Sequence, residues 1–170
     1  MTGFHCSCCG EWHDELPLDV GYAAPDLIYT IPAHEWNERV ERNLDFCTID
    51  NMYYFVRGVI ELPIIDSQDS FVWGVWASLS EKNFKRTVEP LDVAGREQEP
   101  PYFGWLCNEI PHYEVSTYHL KTHVHTQPVG MRPKIELEPN DHPLAIEQRQ
   151  GITLSRVQLI VEAVLPRPFK

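Results

Sequence analysis

The chain has 170 residues, of which 43% are hydrophobic, and a formal net charge of −11 from 25 acidic and 14 basic residues. This length and composition predict one folded domain over residues 1–170 with a sizeable hydrophobic core. The acidic balance argues against a nucleic-acid-binding protein and against binding to an anionic membrane surface, because both need clustered Lys and Arg.

The sequence also indicates a compartment. No stretch reaches the roughly 18 consecutive apolar residues that a membrane-spanning helix requires. The first residues, MTGFHCSCCGEWHDE, lack the basic region and apolar stretch of a signal peptide. We therefore expect a cytoplasmic protein, whose five cysteines form no structural disulfides.

The N-terminal part contains little regular pattern. Residues 1–29 combine a cysteine cluster with a stretch rich in Pro, Gly and Asp, which predicts an irregular segment with short strands. Residues 31–44 (IPAHEWNERVERNL) predict a helix, because Trp36, Val40 and Leu44 recur at four-residue spacing.

Strand patterns dominate the middle of the chain. Residues 52–65 alternate at period two, and FVWGVWASLS from Phe71 is apolar on both faces, so the two are predicted to form a central hairpin. Further strands are predicted at YFGWLC from Tyr102, at STYHLKTHVHTQ from Ser116 and at KIELE from Lys134.

Two more helices are predicted around these strands. SLSE at residues 78–81 fits a capping box that starts a short helix. A C-terminal helix begins near Thr153, carries an apolar stripe, and ends at Pro166. Because strands and helices do not alternate, the sequence predicts an α+β fold with a mostly antiparallel sheet of about five strands, flanking helices and an irregular N-terminal knuckle.

Several long stretches together resemble one bacterial family, the domain of unknown function 2199. They are CSCCGEWHDELP, YYFVRGVIELPI, FVWGVWASLSEKNF, REQEPPYFGWL, LKTHVHTQPVGMRP and DHPLAIEQRQGIT. The resemblance runs from about Phe4 to about Leu165 and implies a cytoplasmic bacterial protein, without carrying over an activity. The positions that match the pattern of the family are Cys6, Cys9, His13, Cys47, His125 and His142.

The N-terminal cluster points to a metal. Cys6 and Cys9 form a C-x-x-C pair, which places two sulfurs on one side of a tight turn at the reach of a tetrahedral zinc ion. Gly10 lets the chain turn back beneath the metal, and His13 is close enough to supply a third ligand. Residues 1–29 are therefore predicted to be a metal-binding segment.

The fourth ligand has to come from a distant part of the chain, since no second C-x-x-C exists. Cys47, His125 and His142 are the candidates, and we predict a zinc site of Cys6, Cys9, His13 and His125. Two alternatives stay open for the cluster: a redox-active C-x-x-C, and reduced, inert cysteines.

Two other features admit a functional interpretation. Trp73, Trp76 and Trp105 would line a binding face of the sheet or belong to its core. Arg57 and Glu61, four residues apart on one strand face, would grip a polar ligand or form a surface ion pair.

The sequence favours a non-enzymatic interaction protein with a structural zinc knuckle, whose acidic surface binds a basic protein partner. The alternatives are a zinc-dependent hydrolase with an open coordination position and a metal-free binding module that uses the aromatic sheet face.

Overall fold

The computed structural model describes residues 3–164 of the chain. The chain begins with a small hairpin in which β1 (Phe4–His5) pairs antiparallel with β2 (Trp12–His13). A second sheet contains the remaining strands of the described residues: β3 (Asp19–Gly21), β4 (Val40–Arg42), β5 (Phe46–Ile49), β6 (Tyr53–Pro63), β7 (Ser70–Leu79), β8 (Tyr102–Leu106), β9 (Lys121–His125) and β10 (Lys134–Leu137).

Four α-helices accompany the sheets in this part of the chain: α1 (Trp36–Arg39), α2 (Glu81–Val88), α3 (Pro143–Gln150) and α4 (Leu154–Val164). Short 3-10 segments occur at Asp26–Thr30, Ala33–Glu35 and Arg96–Gln98. No helix among residues 3–164 has the length and apolar character needed to cross a membrane.

Five strands close into a barrel. The order is β6-β7-β8-β9-β10, and β10 returns to β6 through a parallel pairing at Lys134 and Val59. The other four pairings are antiparallel. The predicted mixture of helix and strand is confirmed, but the prediction of an open, mostly antiparallel sheet is wrong, because the sheet closes on itself.

The lengths of β6 and β7 explain both the closure and the extension of the sheet. β6 pairs with β7 along its length, while its other edge meets β5 in its first half and β10 at Val59. In the same way β7 meets β8 near Ala77 and the parallel strand β3 near Trp73. Along this second edge, one half of each long strand pairs with a barrel strand, and the other half pairs with an additional strand, β5 or β3. Such closure removes exposed sheet edges.

The central hairpin is confirmed, with residues from Tyr54 to Pro63 pairing in register with residues from Leu79 to Ser70. The alternation predicted for residues 52–65 is also confirmed, since Val56, Ile60 and Leu62 are buried in the main core. Helices α3 and α4 cover this core, with buried side chains that include Leu144, Val157, Ile160 and Val161.

A second, smaller core lies on the other face of the β5–β7 region. It contains Cys47, Phe55 and Trp76, and the 3-10 segment at residues 26–30 covers it with Ile28. Burying both faces of β6 and β7 explains why the Phe71 stretch is apolar on both sides.

The long helix predicted at residues 31–44 is wrong. The helical turns end at Arg39, because Val40 adopts an extended conformation and starts β4, which pairs with β5. The ladder hydrogen bonds of this hairpin replace those of a continued helix, so tertiary pairing overrides the four-residue spacing.

The two other predicted helices are confirmed. Ser80, rather than Ser78 of the predicted capping box, caps α2: it accepts a hydrogen bond from the Asn83 N–H, so the helix begins two residues later than expected. Thr153 receives the Arg156 N–H at the start of α4. The predicted end at Pro166 lies outside the described residues. Helix α3 was not predicted.

Candidate metal centre

The cysteine cluster lies in the turn between β1 and β2. The Gly10 N–H donates to the Cys6 carbonyl at 2.9 Å, and the Cys6 N–H donates to the Glu11 carbonyl at 3.0 Å. Gly10 has a φ of 72°, a left-handed conformation that costs glycine little because it has no Cβ. The turn thereby folds the chain into a compact knuckle.

This turn brings three sulfur atoms together. The ligand atoms of Cys6, Cys8 and Cys9 all lie within 4.8 Å of one another, and the Cys6 and Cys8 sulfurs are 2.7 Å apart. Within residues 3–164 no other set of three or more Cys, His, Asp or Glu ligand atoms is this close. The three cysteines could therefore hold a metal ion.

An imidazole stands beside the sulfurs. Nε2 of His13 is 3.3 Å from Sγ of Cys9, and the His13 ring stacks on Phe4 with centroids 5.3 Å apart. Phe4 and His13 are cross-strand partners in the hairpin, so the strand register itself fixes the ring next to the turn. Three thiols and one imidazole thus form a potential Cys₃His set.

The hydrogen bonds of the cluster favour a thiolate at Cys6. The Cys8 thiol and, next in size, the Cys9 backbone N–H lower the pKa of Cys6 to about 7 from its ordinary value of 9.0. The pKa of Cys8 is raised in turn, chiefly because its thiol is engaged with Cys6. The cluster therefore holds a thiolate near neutral pH, and the thiolate is the form of cysteine that binds metals.

The hairpin is fastened to the C-terminal helix. The Ser7 N–H donates to Glu162 at 2.9 Å, and the Gln158 side chain donates to the His5 carbonyl at 2.9 Å. Behind the hairpin, Leu16 is buried in the main core and Phe4 packs against it. The knuckle is thereby attached to the barrel through α4.

The structure brings together three of the four predicted zinc ligands, Cys6, Cys9 and His13. It places His125 elsewhere, on β9 in the barrel wall, where its Nε2 is 3.9 Å from a Glu136 oxygen. Cys8 completes the cluster, and its C-x-C spacing to Cys6 was the available sequence signal.

The other two candidates for the distant ligand, Cys47 and His142, belong to the packing and capping of the fold. Cys47 is buried in the second core, where burial raises the pKa of its thiol to about 11. His142 caps α3: its Nδ1 accepts the Leu144 N–H at 3.0 Å, and its Nε2 lies 3.0 Å from the Val115 carbonyl. His142 therefore acts as the N-cap of α3, ahead of Pro143 at the first turn.

The structure also locates the residues on which the remaining sequence hypotheses depend. The Cys6–Cys9 turn leads into β2 rather than into a helix, so it lacks the helix N-terminus of a thioredoxin-like site. Trp73 and Trp76 are fully buried, whereas Trp105 is partly exposed beside Phe103. Glu61 pairs with Lys134 at 3.2 Å instead of with Arg57.

Fold and site together define an α+β protein with a closed five-stranded barrel and an N-terminal cysteine hairpin that could hold a metal ion. The family model described as "Uncharacterized protein conserved in bacteria (DUF2199)" matches residues 5–152, and the chain belongs to this family. The match contains the cysteine turn and the whole barrel and stops before α4. No curated protein and no solved structure matches the chain.

Proposed function

We propose that the N-terminal hairpin binds one zinc ion through Cys6, Cys8, Cys9 and His13. The observation that carries this proposal is the convergence of three sulfurs within 4.8 Å, with the His13 imidazole 3.3 Å from Cys9. Sulfur ligands about 2.3 Å from a tetrahedral zinc ion are about 3.8 Å from one another. Small side-chain rotations would bring the present donors to that spacing.

The donor set supports zinc over other metals. Thiolate and imidazole are soft or borderline ligands, which suit Zn²⁺ and are poor ligands for Mg²⁺ or Ca²⁺. His125 has no part in this proposal, because it lies on β9 beside Glu136.

The site would be structural. Four protein donors fill a tetrahedral coordination sphere, which leaves no position for the water that a zinc hydrolase activates. The bonds from the hairpin to α4 indicate what zinc would accomplish: it would hold residues 4–13 in the shape that α4 recognises. Metal binding would then contribute to the stability of the folded protein.

We infer that the protein as a whole is a non-enzymatic binding protein with a basic protein partner. The net charge of −11 supports this partner, as do the exposed rings of Phe103 and Trp105 on the barrel, which stand 5.1 Å apart. Arginine and lysine side chains bind aromatic faces through cation–π contacts, and the acidic surface would attract them at long range. The same rings would serve a metal-free binding module.

The zinc proposal is tested by the metal content of protein purified without a metal-binding tag. We expect about one zinc per chain for the wild type and little for Cys6→Ser, Cys9→Ser or His13→Ala. The matched controls are Cys47→Ala, His125→Ala and His142→Ala, which should retain zinc. Absence of zinc from the wild type, or its loss from His125→Ala with retention in His13→Ala, would refute the proposed ligand set.

The closed coordination is tested by substituting Co²⁺ for zinc. Tetrahedral thiolate-bound cobalt has a visible absorption spectrum, and azide changes that spectrum only when it can enter the coordination sphere. We expect no change on adding azide. A change would reveal an open position and favour the hydrolase alternative.

The binding proposal is tested by titrating the protein with an octa-arginine peptide. We expect Trp105→Ala to weaken binding several-fold, measured by calorimetry, while Tyr29→Ala, an exposed aromatic residue elsewhere, leaves it unchanged. Equal affinities for both variants would exclude the Phe103–Trp105 surface as the docking site.

A further inference from the structure

A cavity of about 470 Å³ lies outside the metal centre. It is bounded by β5 and β6, by the segment after α2 and by the loop between β9 and β10. Its wall combines apolar side chains, among them Phe46 and Leu91, with three arginines, Arg57, Arg96 and Arg132. Cavities of roughly 300–1,000 Å³ with apolar walls and a few polar groups are the usual form of a small-molecule site.

Arg96 shapes one wall of this cavity. The residue is only 8% exposed, and its guanidinium donates to the carbonyls of Gln127 at 2.9 Å, Pro128 at 3.1 Å and Met131 at 2.9 Å. Within residues 3–164 this guanidinium forms no ion pair, and backbone carbonyls accept its hydrogen bonds. These bonds hold the β9–β10 loop in place.

Arg57 is half-buried and poorly paired. Among the described residues its buried Nε has no hydrogen-bond partner, and its Nη1 reaches only the Leu44 carbonyl, at 3.5 Å. A Cβ at Gly21 would lie 3.0 Å from its Nη2, so the absence of a side chain there makes room for the guanidinium. An unsatisfied buried donor is costly, so the protein holds this guanidinium in an incompletely satisfied environment.

Asp45 lies near both Arg57 and Arg132. Nε of Arg132 is 2.8 Å from Asp45, whereas Arg57 forms no ion pair within the described part of the chain. Burial lowers the pKa of Arg57, repulsion by Arg132 acts in the same direction, and Asp45 opposes both. The three cavity arginines face two acidic residues, Asp45 and Asp92, so this wall carries excess positive charge in a protein of net charge −11.

We propose that this cavity binds a small organic anion, whose carboxylate or phosphate group accepts hydrogen bonds from Arg57 and Arg132. Its apolar body contacts Phe46, Leu91 and Val129. Arginine suits this role, because its planar donors match both kinds of oxyanion. The site is independent of zinc binding, since none of the proposed zinc ligands lines it.

Calorimetry on the full chain as purified tests this proposal with three probes of similar size: phenyl phosphate, benzoate and the neutral benzyl alcohol. We expect at least one of the two anions to bind at least tenfold more tightly than benzyl alcohol. Inorganic phosphate should bind more weakly than phenyl phosphate, because it lacks the apolar body. An affinity for benzyl alcohol equal to that of both anions, or no binding of either anion at millimolar concentration, would overturn the proposal.

Variants locate the site. Arg132→Gln and Arg57→Gln should each weaken anion binding at least tenfold, whereas Lys82→Gln should not. Lys82 is exposed on α2 and does not line the cavity, so its replacement changes the net charge equally. An equal loss in Lys82→Gln would show that only general charge is sensed and would overturn the proposal.

A variant at an exposed position keeps the proposal testable if Arg57→Gln fails to fold. Val129 is 45% exposed, and Val129→Asp places a carboxylate in the cavity wall without changing the core. We expect this variant to lose anion binding with an unchanged circular dichroism spectrum. Retained binding would contradict the assignment of the anion to this cavity.

Discussion

Ser7 and Glu162 are 155 positions apart in the chain, yet they are joined by two hydrogen bonds. The Ser7 N–H donates to one carboxylate oxygen at 2.9 Å, and the Ser7 hydroxyl donates to the other. These bonds lower the pKa of Glu162, with the largest effect from the Ser7 side chain. The residue between Cys6 and Cys8 is thus tied to the last turn of the described helix, so knuckle and helix should respond to each other.

Glu162→Ala should loosen the hairpin without abolishing the metal site. We expect faster backbone hydrogen exchange at residues 4–13, a lower free energy of unfolding, and an unchanged zinc content. Glu38→Ala is the control, since Glu38 is exposed and forms no ion pair in the described residues. Unaltered exchange at the hairpin would show that the bonds to Glu162 do not restrain it.

Thiol labelling should separate the five cysteines into two groups. Cys6, Cys8 and Cys9 should react with a thiol reagent only after zinc is removed by a chelator, because bound thiolates are protected. Cys47 and Cys107 are buried and should react only in denaturant. We expect none, three and five labelled thiols in these three states, counted by mass spectrometry. Three labelled thiols before chelation would contradict metal protection.

The two buried thiols predict a loss of stability at alkaline pH. Burial raises the pKa of Cys47 and of Cys107 to about 11, against an ordinary value of 9.0. Above about pH 9 the unfolded chain releases these protons and the folded chain retains them, so deprotonation favours unfolding. Each thiol would lower the free energy of unfolding by up to about 1.4 kcal/mol per pH unit until the folded thiol also titrates.

Urea unfolding between pH 8 and pH 10 measures this effect. Cys47→Ala should show a shallower dependence on pH than the wild type, although its cavity lowers stability at every pH. Identical slopes for the two proteins would mean that Cys47 does not contribute. Tyr22 and Tyr102, whose pKa values burial raises to about 12, affect mainly the range above pH 10.

Closure of the barrel depends on a glycine. A Cβ at Gly58 would lie 2.7 Å from the Ile135 side chain and 2.8 Å from the Pro133 carbonyl, at the junction of β6 and β10. We expect Gly58→Ala to cost about 1–3 kcal/mol, since the backbone would have to shift. Gly21→Ala should cost less, because the one close contact of its Cβ would be the flexible end of Arg57 at 3.0 Å, while the Gly74 backbone lies at ordinary contact distance. Thermal denaturation compares the two, and the opposite ranking would contradict this account of closure.

The local hydrophobic pattern was sufficient to predict most strands of the barrel. The alternation at residues 52–65 and the doubly apolar stretch after Phe71 both became strands, because period-two burial is recorded in neighbouring residues. The helix predicted at residues 31–44 failed because its four-residue spacing is equally compatible with one turn followed by β4. Pairing with β5, which no local window contains, decided the outcome. Helix α3 was missed for a related reason: its sequence carries no strong amphipathic stripe, and the buried His142 cap defines its start.

The ligands of the candidate metal site likewise fall into those that local sequence predicted and those that the structure placed. Cys6, Cys9 and His13 were predicted together because they lie within one short turn, where spacing in the sequence limits distance in space. Cys8 lies in the same turn, and its C-x-C spacing to Cys6 was a local signal that the predicted ligand set did not use. The position of His125 depended on the tertiary structure, because β9 places it in the barrel wall.

The sequence by itself determined what is encoded over a few neighbouring residues: the strands of the central hairpin, the cap of α4, the cysteine turn and the acidic charge. Only the tertiary structure decided the closure of β10 onto β6, the attachment of the hairpin to α4 and the convergence of three arginines on one cavity. Each of these joins residues far apart in the chain, and their contacts exist only after the loops between them have closed. For this reason the fold class could be read locally, whereas the closed barrel and the anion cavity could not.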